Sequence, residues 1–440
     1  LTVATPEHAT SAVESCRSAA ASWGRRPAAE RVELVELIAA ELRLRRYELA
    51  AALVYEGGWP WDDADGEVAG AIDRLRLAAS AVRDDLSADS TSLKGTSRDA
   101  AFRPKGVMGV IPSAGGPLAA TAGYVAAAVV TGNTAVVCPE VGGTVAVLLL
   151  AEIARTAGLP AGVVNVVPRS GPGVAAAVAA GDIDLLAVDG GVDTYRETVA
   201  AVCGGGRLPW TFGEAGRSGV AIVDEDADVD AAVRAIAADA FGAAGRRPYA
   251  VSRVAVVRSR ADAVLSRLAE VAAALPVGPA SEATTVIGPT GSPAVAKAFR
   301  TAAEAAAEHG EVVFEGKAPG GGKRGPFVPP RVVTGLPPEG RFADEGFAGP
   351  TLSVFRVNDF EAAAALAGRC PDGASSAVAY WGKRPEAGAD LRSATTASHV
   401  VVNGPLTGPA SPLISADPRT LLPHMVDVVT VRADTAGRGY

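Results

Sequence analysis

Between Gly106 and Cys203 the chain repeats one pattern: a short run rich in β-branched residues, a turn, then a longer helical stretch. Gly106–Ile111, Thr134–Cys138, Val163–Val167 and Leu185–Val188 read as buried strands. Leu118–Val130, Thr144–Ala157, Pro172–Ala180 and Val192–Cys203 read as the helices between them. Such an alternation closes only as a doubly wound parallel sheet with helices on both faces. Ligands of these sheets bind outside the carboxyl ends of the strands, where Pro112, Pro139 and Gly190 should cluster. The alternation restarts with strand Val220–Val223, helix Val229–Ala240, strand Val254–Val257 and helix Ala261–Ala274, so a second αβ domain is expected.

Upstream, His8–Trp23 has helical spacing. Pro27 opens a long helix with Val32, Leu34, Leu37, Ile38 and Leu42 as its apolar stripe. It continues through a bend across Tyr47–Tyr55 and stops at Gly57-Gly58, and Gly66–Arg83 is a further amphipathic helix. Arg98–Arg103 reads as a polar connector forming one arm of a hairpin. Lys317–Pro338, rich in Gly and Pro, reads as an irregular surface crossing. Leu352–Val357, Ser376–Ala379 and His399–Asn403 are strands, and Met425–Val431 is a late, isolated one.

The 440 residues are 48% hydrophobic and 20% charged, which suits a globular protein with a large core. A net charge of -8 without a Lys/Arg block argues against nucleic acid or an anionic membrane as partner. Cys16, Cys138, Cys203 and Cys370 are far apart and form no CxxC pair, so no metal site is expected. Apolar runs such as Val145–Leu150 are too short to cross a bilayer, and no signal-peptide pattern stands at Leu1. A reduced, cytoplasmic setting is the expectation.

The stretch from Phe241 to Val257, FGAAGRRPYAVSRVAVV, resembles the nucleophile segment of the aldehyde dehydrogenase superfamily, F-x-x-x-G-Q-x-C-x-A-x-x-R-V. Phe241, Gly245, Ala250, Arg253 and Val254 match it, and the cysteine position holds Pro248. Five further stretches stand in family order along the chain: KGVMGVIPSAGGPL, GNTAVVCPE and GLPAGVVNVV before that segment, and LPVGP with VIGP and FVPPRVVTGLPPEGRFADEGFAGPTLSVFRV after it. The N-terminal helices resemble the pyrroline-5-carboxylate dehydrogenase branch. The resemblance implies an α/β aldehyde dehydrogenase-like fold with two Rossmann-like αβ domains and a small oligomerisation element. Residues 1–91 and 104–213 would form the cofactor-type domain, 214–423 the catalytic-type domain, and 92–103 with 424–440 the oligomerisation hairpin and strand.

The family's chemistry uses a thiolate nucleophile, a glutamate general base, a nicotinamide acceptor, and an oxyanion hole made of an asparagine amide and the cysteine's own N–H. Here Pro248 removes both the thiol and that N–H. Gly115 stands at the asparagine. For the base, anchoring TFGEAGRS on Arg217-Ser218 puts Gly213 at the glutamate, whereas a one-residue gap puts Glu214 there in a Gly-rich turn. On the cofactor side, Cys138 takes the place of the ribose-binding lysine, followed by Pro139 and Glu140. Gly190-Gly191 opens a helix near the pyrophosphate, Pro112 borders the cleft, and Gly346 stands at the ribose-binding glutamate. Cys138 should line the cleft as a small apolar group rather than a reactive thiol. His399 and His424 are isolated in sequence.

Three readings follow. The leading one is a catalytically inactive family member acting as a structural or regulatory partner, with no cofactor or weakly held NAD(P). It would assemble as a homo-oligomer, or as a hetero-oligomer with an active aldehyde dehydrogenase. The second is an NAD(P)-dependent oxidoreductase acting on an aldehyde group through a rebuilt site. The third is a small-molecule binding module.

Overall fold

A computed structural model describes residues 3–85, 90–93, 96–169, 173–203, 208–216, 218–322, 325–370, 376–407 and 417–434. The chain opens with four helices: α1 (Pro6–Gly24), α2 (Ala28–Leu44), α3 (Arg46–Gly57) and α4 (Trp61–Asp85). The bend after α2 falls at Arg45, which leaves helical geometry and binds Glu48 one turn on at 2.7 and 2.9 Å. Gly58, left-handed at φ 66°, ends α3 by donating to the Leu53 and Val54 carbonyls. Leu37 does not belong to the buried stripe: it is 55% exposed, because Val35, Ile38, Ala39 and Leu42 occupy the inward face. The last of the four helices begins at Trp61, earlier than its apolar spacing suggests.

Strands β1 (Ser90–Leu93) and β2 (Thr96–Pro104) form an antiparallel hairpin. Then come β3 (Val107–Ile111), α5 (Ala119–Thr131), β4 (Thr134–Val137), α6 (Thr144–Thr156) and β5 (Val164–Val166). They are followed by α7 (Val174–Ala179), β6 (Leu185–Gly190), α8 (Val192–Cys203) and β7 (Trp210–Ala215). The five strands β3 to β7 make a parallel sheet in the order β5-β4-β3-β6-β7. Every residue of α5 is buried, since this helix lies between the sheet and the layer of α2 and α4. The expected Gly-rich turn at 211–215 is instead the edge strand β7. The division expected at 213/214 falls inside that strand, whose ladder runs on to Gly190↔Ala215.

The second half contains β8 (Ser218–Val223), α9 (Val229–Phe241), β9 (Val251–Val257), α10 (Arg258–Ala274), α11 (Pro293–His309), β10 (Glu311–Glu315) and β11 (Arg331–Thr334). After these come α12 (Arg341–Glu345), β12 (Thr351–Val357), α13 (Phe360–Ala367), β13 (Ser376–Trp381), α14 (Ala387–Ala394) and β14 (His399–Val402). Its seven strands run β10-β11-β12-β9-β8-β13-β14, parallel except for β10 against β11. Arg331–Thr334 lies inside the expected surface crossing, yet Val332 and Val333 are fully buried between two neighbouring strands. After α15 (Pro418–Leu421), β15 (Val426–Asp434) pairs with β2 from Val426↔Pro104 to Asp434↔Thr96. That strand is therefore not isolated: it completes a three-stranded sheet with the hairpin and forms its edge.

One crossing positions the site. The chain leaves the carboxyl end of β7 and enters the amino end of β8 through Gly216, whose N–H binds the Gly190 carbonyl at 2.8 Å. The carboxyl edge of the first sheet thus faces the amino edge of the second.

Candidate functional site

The loop from Phe241 to Ala250 leaves α9 through a tight turn at Gly242–Gly245. Ala243 (φ 49°, ψ 32°) and Ala244 (φ 58°, ψ 34°) are left-handed there, a conformation costing an L-residue about 1–2 kcal/mol. Two arginines hold it. Arg246 donates from Nε to the Ala243 carbonyl (3.0 Å), and from Nη1 and Nη2 to the carbonyls of Gly57 (2.8 Å) and Gly58 (3.2 Å). Its guanidinium also lies 4.9 Å from the centre of the Trp59 ring. Burial lowers its pKa to about 10, which leaves it charged at neutral pH.

Arg247 forms an ion pair with Asp63 of α4 and donates to the Ala238 carbonyl and Thr407 Oγ1, both at 3.2 Å. Asp239 completes the anchor by accepting Leu406 N–H (2.8 Å), Thr407 N–H (2.9 Å) and the Thr407 hydroxyl (2.7 Å). Burial raises the pKa of this carboxyl, and the three hydrogen bonds only partly offset that. Pro248 follows, and then Tyr249, a buried residue at φ 60°. The Tyr249 ring meets His399 edge-on at 5.4 Å, so His399 is not isolated from the site as its sequence neighbourhood suggests.

The facing loop, 112–117, belongs to the first sheet. Glu67 of α4 caps the helix that follows it, accepting Leu118 N–H (3.1 Å) and Ala119 N–H (3.0 Å) with Oε2. Burial holds this carboxyl above its ordinary pKa. Glu140 Oε2 accepts Ala114 N–H and pairs with Arg169, each at 3.0 Å. The two loops touch. A Cβ on Gly115 would stand 2.4 Å from the Arg246 carbonyl oxygen, and one on Gly116 would stand 3.3 Å from Pro248 Cγ. Gly115 and Pro248, expected together, are in one place, and no side chain longer than hydrogen fits at residue 115 in this arrangement.

The cofactor-side residues are more dispersed. Cys138 does not line the cleft: it is buried with Val136, Val167 and Val188, and burial pushes its thiol up to about 12. The Pro139 carbonyl accepts Arg169 N–H at 2.8 Å. Gly190 adjoins Gly216, and a Cβ on Gly191 would meet nothing within 4 Å, so that face is open. The only acidic residue in the first turn of α8 is Asp193, which opposes an anion at that helix end. Gly346 is set back from the cleft: its φ is 70°, and a Cβ there would come 2.4 Å from Ser252 Oγ, itself 3.1 Å from Ser218 Oγ.

Of the two general-base alignments, Gly213 has no space for a side chain, since a Cβ would fall 1.9 Å from the Val188 carbonyl oxygen. Glu214 is half-buried on β7, with its N–H donating to Asp189 Oδ1 at 3.2 Å. Arg217, which anchored that alignment, lies outside the described residues. At the positions described, the residues do not fit a dinucleotide's contacts. Cys138, where the resemblance implies a ribose-side cation, is a thiol turned inward, the rim carries Glu140 and Asp193, and residue 346 cannot project a side chain.

The sequence profile described as "Aldehyde dehydrogenase family" matches residues 1–414. This chain belongs to the aldehyde dehydrogenase family. Its likeness to the pyrroline-5-carboxylate dehydrogenase branch is also borne out. The 1-pyrroline-5-carboxylate dehydrogenase of Bacillus licheniformis is 30% identical over 387 residues, covering 85% of this chain and 73% of that protein. A 1-pyrroline-5-carboxylate dehydrogenase from Thermus, solved with bound NAD, superposes with a TM-score of 0.90 at 28% identity, covering 98% of this chain and 87% of that one. Proline utilization A from Bdellovibrio bacteriovorus superposes with a TM-score of 0.90 at 27% identity; all of this chain matches 47% of that longer protein.

Within this family member, sequence reasoning missed the residues that hold the site: Asp63, Glu67, Asp239, and the anchoring roles of Arg246 and Arg247. A usable signal existed for one of them. Asp239 interrupts the apolar run IAADAF near the end of α9, where a charged residue on an inward face needs partners. Among the described residues no group of His, Cys, Asp and Glu could hold a metal ion, and no helix is long and apolar enough to cross a membrane.

Proposed function

We propose that this family member carries out no aldehyde oxidation and serves as a structural or regulatory partner in an oligomer. The observation that supports this most directly is the contact between the two loops at Gly115–Arg246 and Gly116–Pro248. The family's chemistry needs a thiol, an amide donor and a substrate carbonyl at that point. Here a proline lacking both thiol and N–H meets a glycine with no room for an amide. Each oxyanion donor lost costs ~10²–10³ in rate, on top of the missing nucleophile. The assignment of 1–91 with 104–213 to a cofactor-type domain and 214–423 to a catalytic-type domain belongs to the same reading.

Assembly would run through the three-stranded sheet. β15 occupies its edge, and Val428 is largely exposed there. An uncovered edge carrying apolar groups favours pairing with another chain, a second copy or an active aldehyde dehydrogenase. A second reading, an oxidoreductase with a rebuilt site, draws on the open face at Gly191.

Assays with NAD or NADP and a panel of aliphatic, aromatic and semialdehyde substrates separate the two. The expected outcome is no turnover above background, and Pro248→Cys alone should not restore it. Enzyme-proportional NADH formation that survives repeated purification would favour the second reading. Calorimetry should find NAD binding weak or undetectable; a micromolar or tighter constant would contradict the loss of cofactor contacts. Light scattering should report a dimer or larger that shifts toward monomer or aggregate when Met425–Tyr440 is removed.

A further inference from the structure

Arg253 on β9 is 0% exposed, and only one of its three guanidinium nitrogens is satisfied. Nη1 donates to the carbonyls of Ala343 and Arg369, the latter at 2.8 Å. Nε and Nη2 are buried and have no hydrogen-bond partner. Among the described residues no carboxylate forms an ion pair with it. Asp344, the acid nearest in its influence, faces Arg369 at 3.6 Å, and Glu345 binds Arg341 at 3.0 Å. The Cys370 thiol also lies close enough to be felt, but burial raises its pKa and keeps it a neutral thiol.

The neighbouring strand repeats the deficit. Ser353 stands opposite Arg253 in the parallel register of β12 and β9, so both side chains leave the same face of the sheet. Thr351, two residues earlier, shares that face. Ser353 is 0% exposed and Thr351 is 1% exposed, and neither hydroxyl has a partner. Two guanidinium nitrogens and two hydroxyls without partners thus lie on one buried face of β9 and β12, where the Ala343 carbonyl and Gly346 of the α12 segment close over Arg253.

A buried charge without a counter-charge costs several kcal/mol, and buried polar groups in folded proteins are almost always paired. Desolvation brings the Arg253 pKa down only to about 10, so the charge persists at neutral pH. A guanidinium only donates, and a hydroxyl can donate as well. The group missing from their midst is therefore an acceptor, preferably negative. With every member fully buried, it is no larger than a few atoms.

We propose that Arg253, Ser353 and Thr351 form an internal site for a small monovalent anion of chloride size, which supplies the counter-charge that no described residue gives Arg253. The site is separate from the cleft and does not depend on whether the protein is a catalyst. Full-length protein should melt about 1–3 °C higher in sodium chloride or bromide than in sodium gluconate at equal ionic strength, and the gain should saturate. Ser353→Val should reduce that difference. Arg253→Met, which removes the charge, should abolish it; if that variant does not fold, Ser353→Val carries the comparison. Crystals grown in bromide should show an anomalous peak within hydrogen-bond distance of Arg253 Nε and Nη2. Water alone at that position, or a halide response unchanged in Ser353→Val, would overturn the proposal.

Discussion

At the carboxyl edge of the first sheet, Gly191 faces open space and Glu140 stands at the rim with its side chain 41% exposed. At the amino edge of the second sheet, the loop 241–250 is bound on every side, by Arg246 to α3, by Arg247 to α4, and through Asp239 to residues 406 and 407. One edge is open at Gly191, and the other is tied down, with residues 245–248 half-buried. Chemistry between two domains needs both to be surfaces, with reacting atoms held about 3–3.5 Å apart and room for substrate between them. On the reading proposed above, ligand binding belongs to the first sheet and the second serves as framework.

The comparison breaks first if the anchors of the packed edge prove dispensable. Asp63→Ala or Arg247→Ala strands a buried charge, and each should cost about 3–5 kcal/mol in urea denaturation. The double variant should cost clearly less than the sum of the two, because no orphan remains. A sharper contrast uses one substitution at both edges. Gly115→Ala forces a methyl against the Arg246 carbonyl and should destabilise by about 1–3 kcal/mol. Gly191→Ala enters open space and should stay within about 0.5 kcal/mol. Equal losses at the two positions would erase the distinction.

The smallest effect concerns pH. Burial raises the Glu67 pKa in the folded state, whereas in the unfolded chain it returns to about 4.3. Between those two values the folded state binds more protons than the unfolded one, so the contribution of Glu67 declines as pH rises through the window. Glu67→Gln keeps an acceptor for the Leu118 and Ala119 N–H groups but does not titrate. The stability of the wild type relative to this variant should therefore fall between pH 4 and the raised folded value, then level off. A difference that is flat from pH 4 to 8 would show that Glu67 ionises normally in the fold.

The alternation of strands and helices was readable because period-2 and period-3.6 patterns are local. Six of the eight helices and strands between Gly106 and Cys203 match their expected spans to within a residue at each end, among them Val192–Cys203. The failures have local causes. Gly213 breaks the pattern of β7, and β11 is four residues long, between Pro330 and Gly335. The inward turn of Cys138 was available from its period-2 relation to buried Val136. The reading of Pro248 and Gly115 as replaced catalytic positions rests on the family resemblance alone, since a proline and a glycine in loops carry no signal of their own. The anchors were harder to see, because Asp63 and Arg247 meet only when the helix layer and the second sheet are both in place.

Ala243 and Ala244 extend that dependence to the time course of folding. A free peptide of this segment would rarely visit two consecutive left-handed alanines, because nothing within it offsets their cost. What holds the turn is Arg246 reaching the carbonyls at the end of α3 and Arg247 reaching α4, contacts with a long stretch of chain between the partners. The turn is therefore set late, after the amino-terminal helices have docked, and it is released when they detach. Amide exchange at Ala243 and Ala244 would then act as a clock for docking of the two halves, running at the rate of that separation rather than at the rate of local fraying.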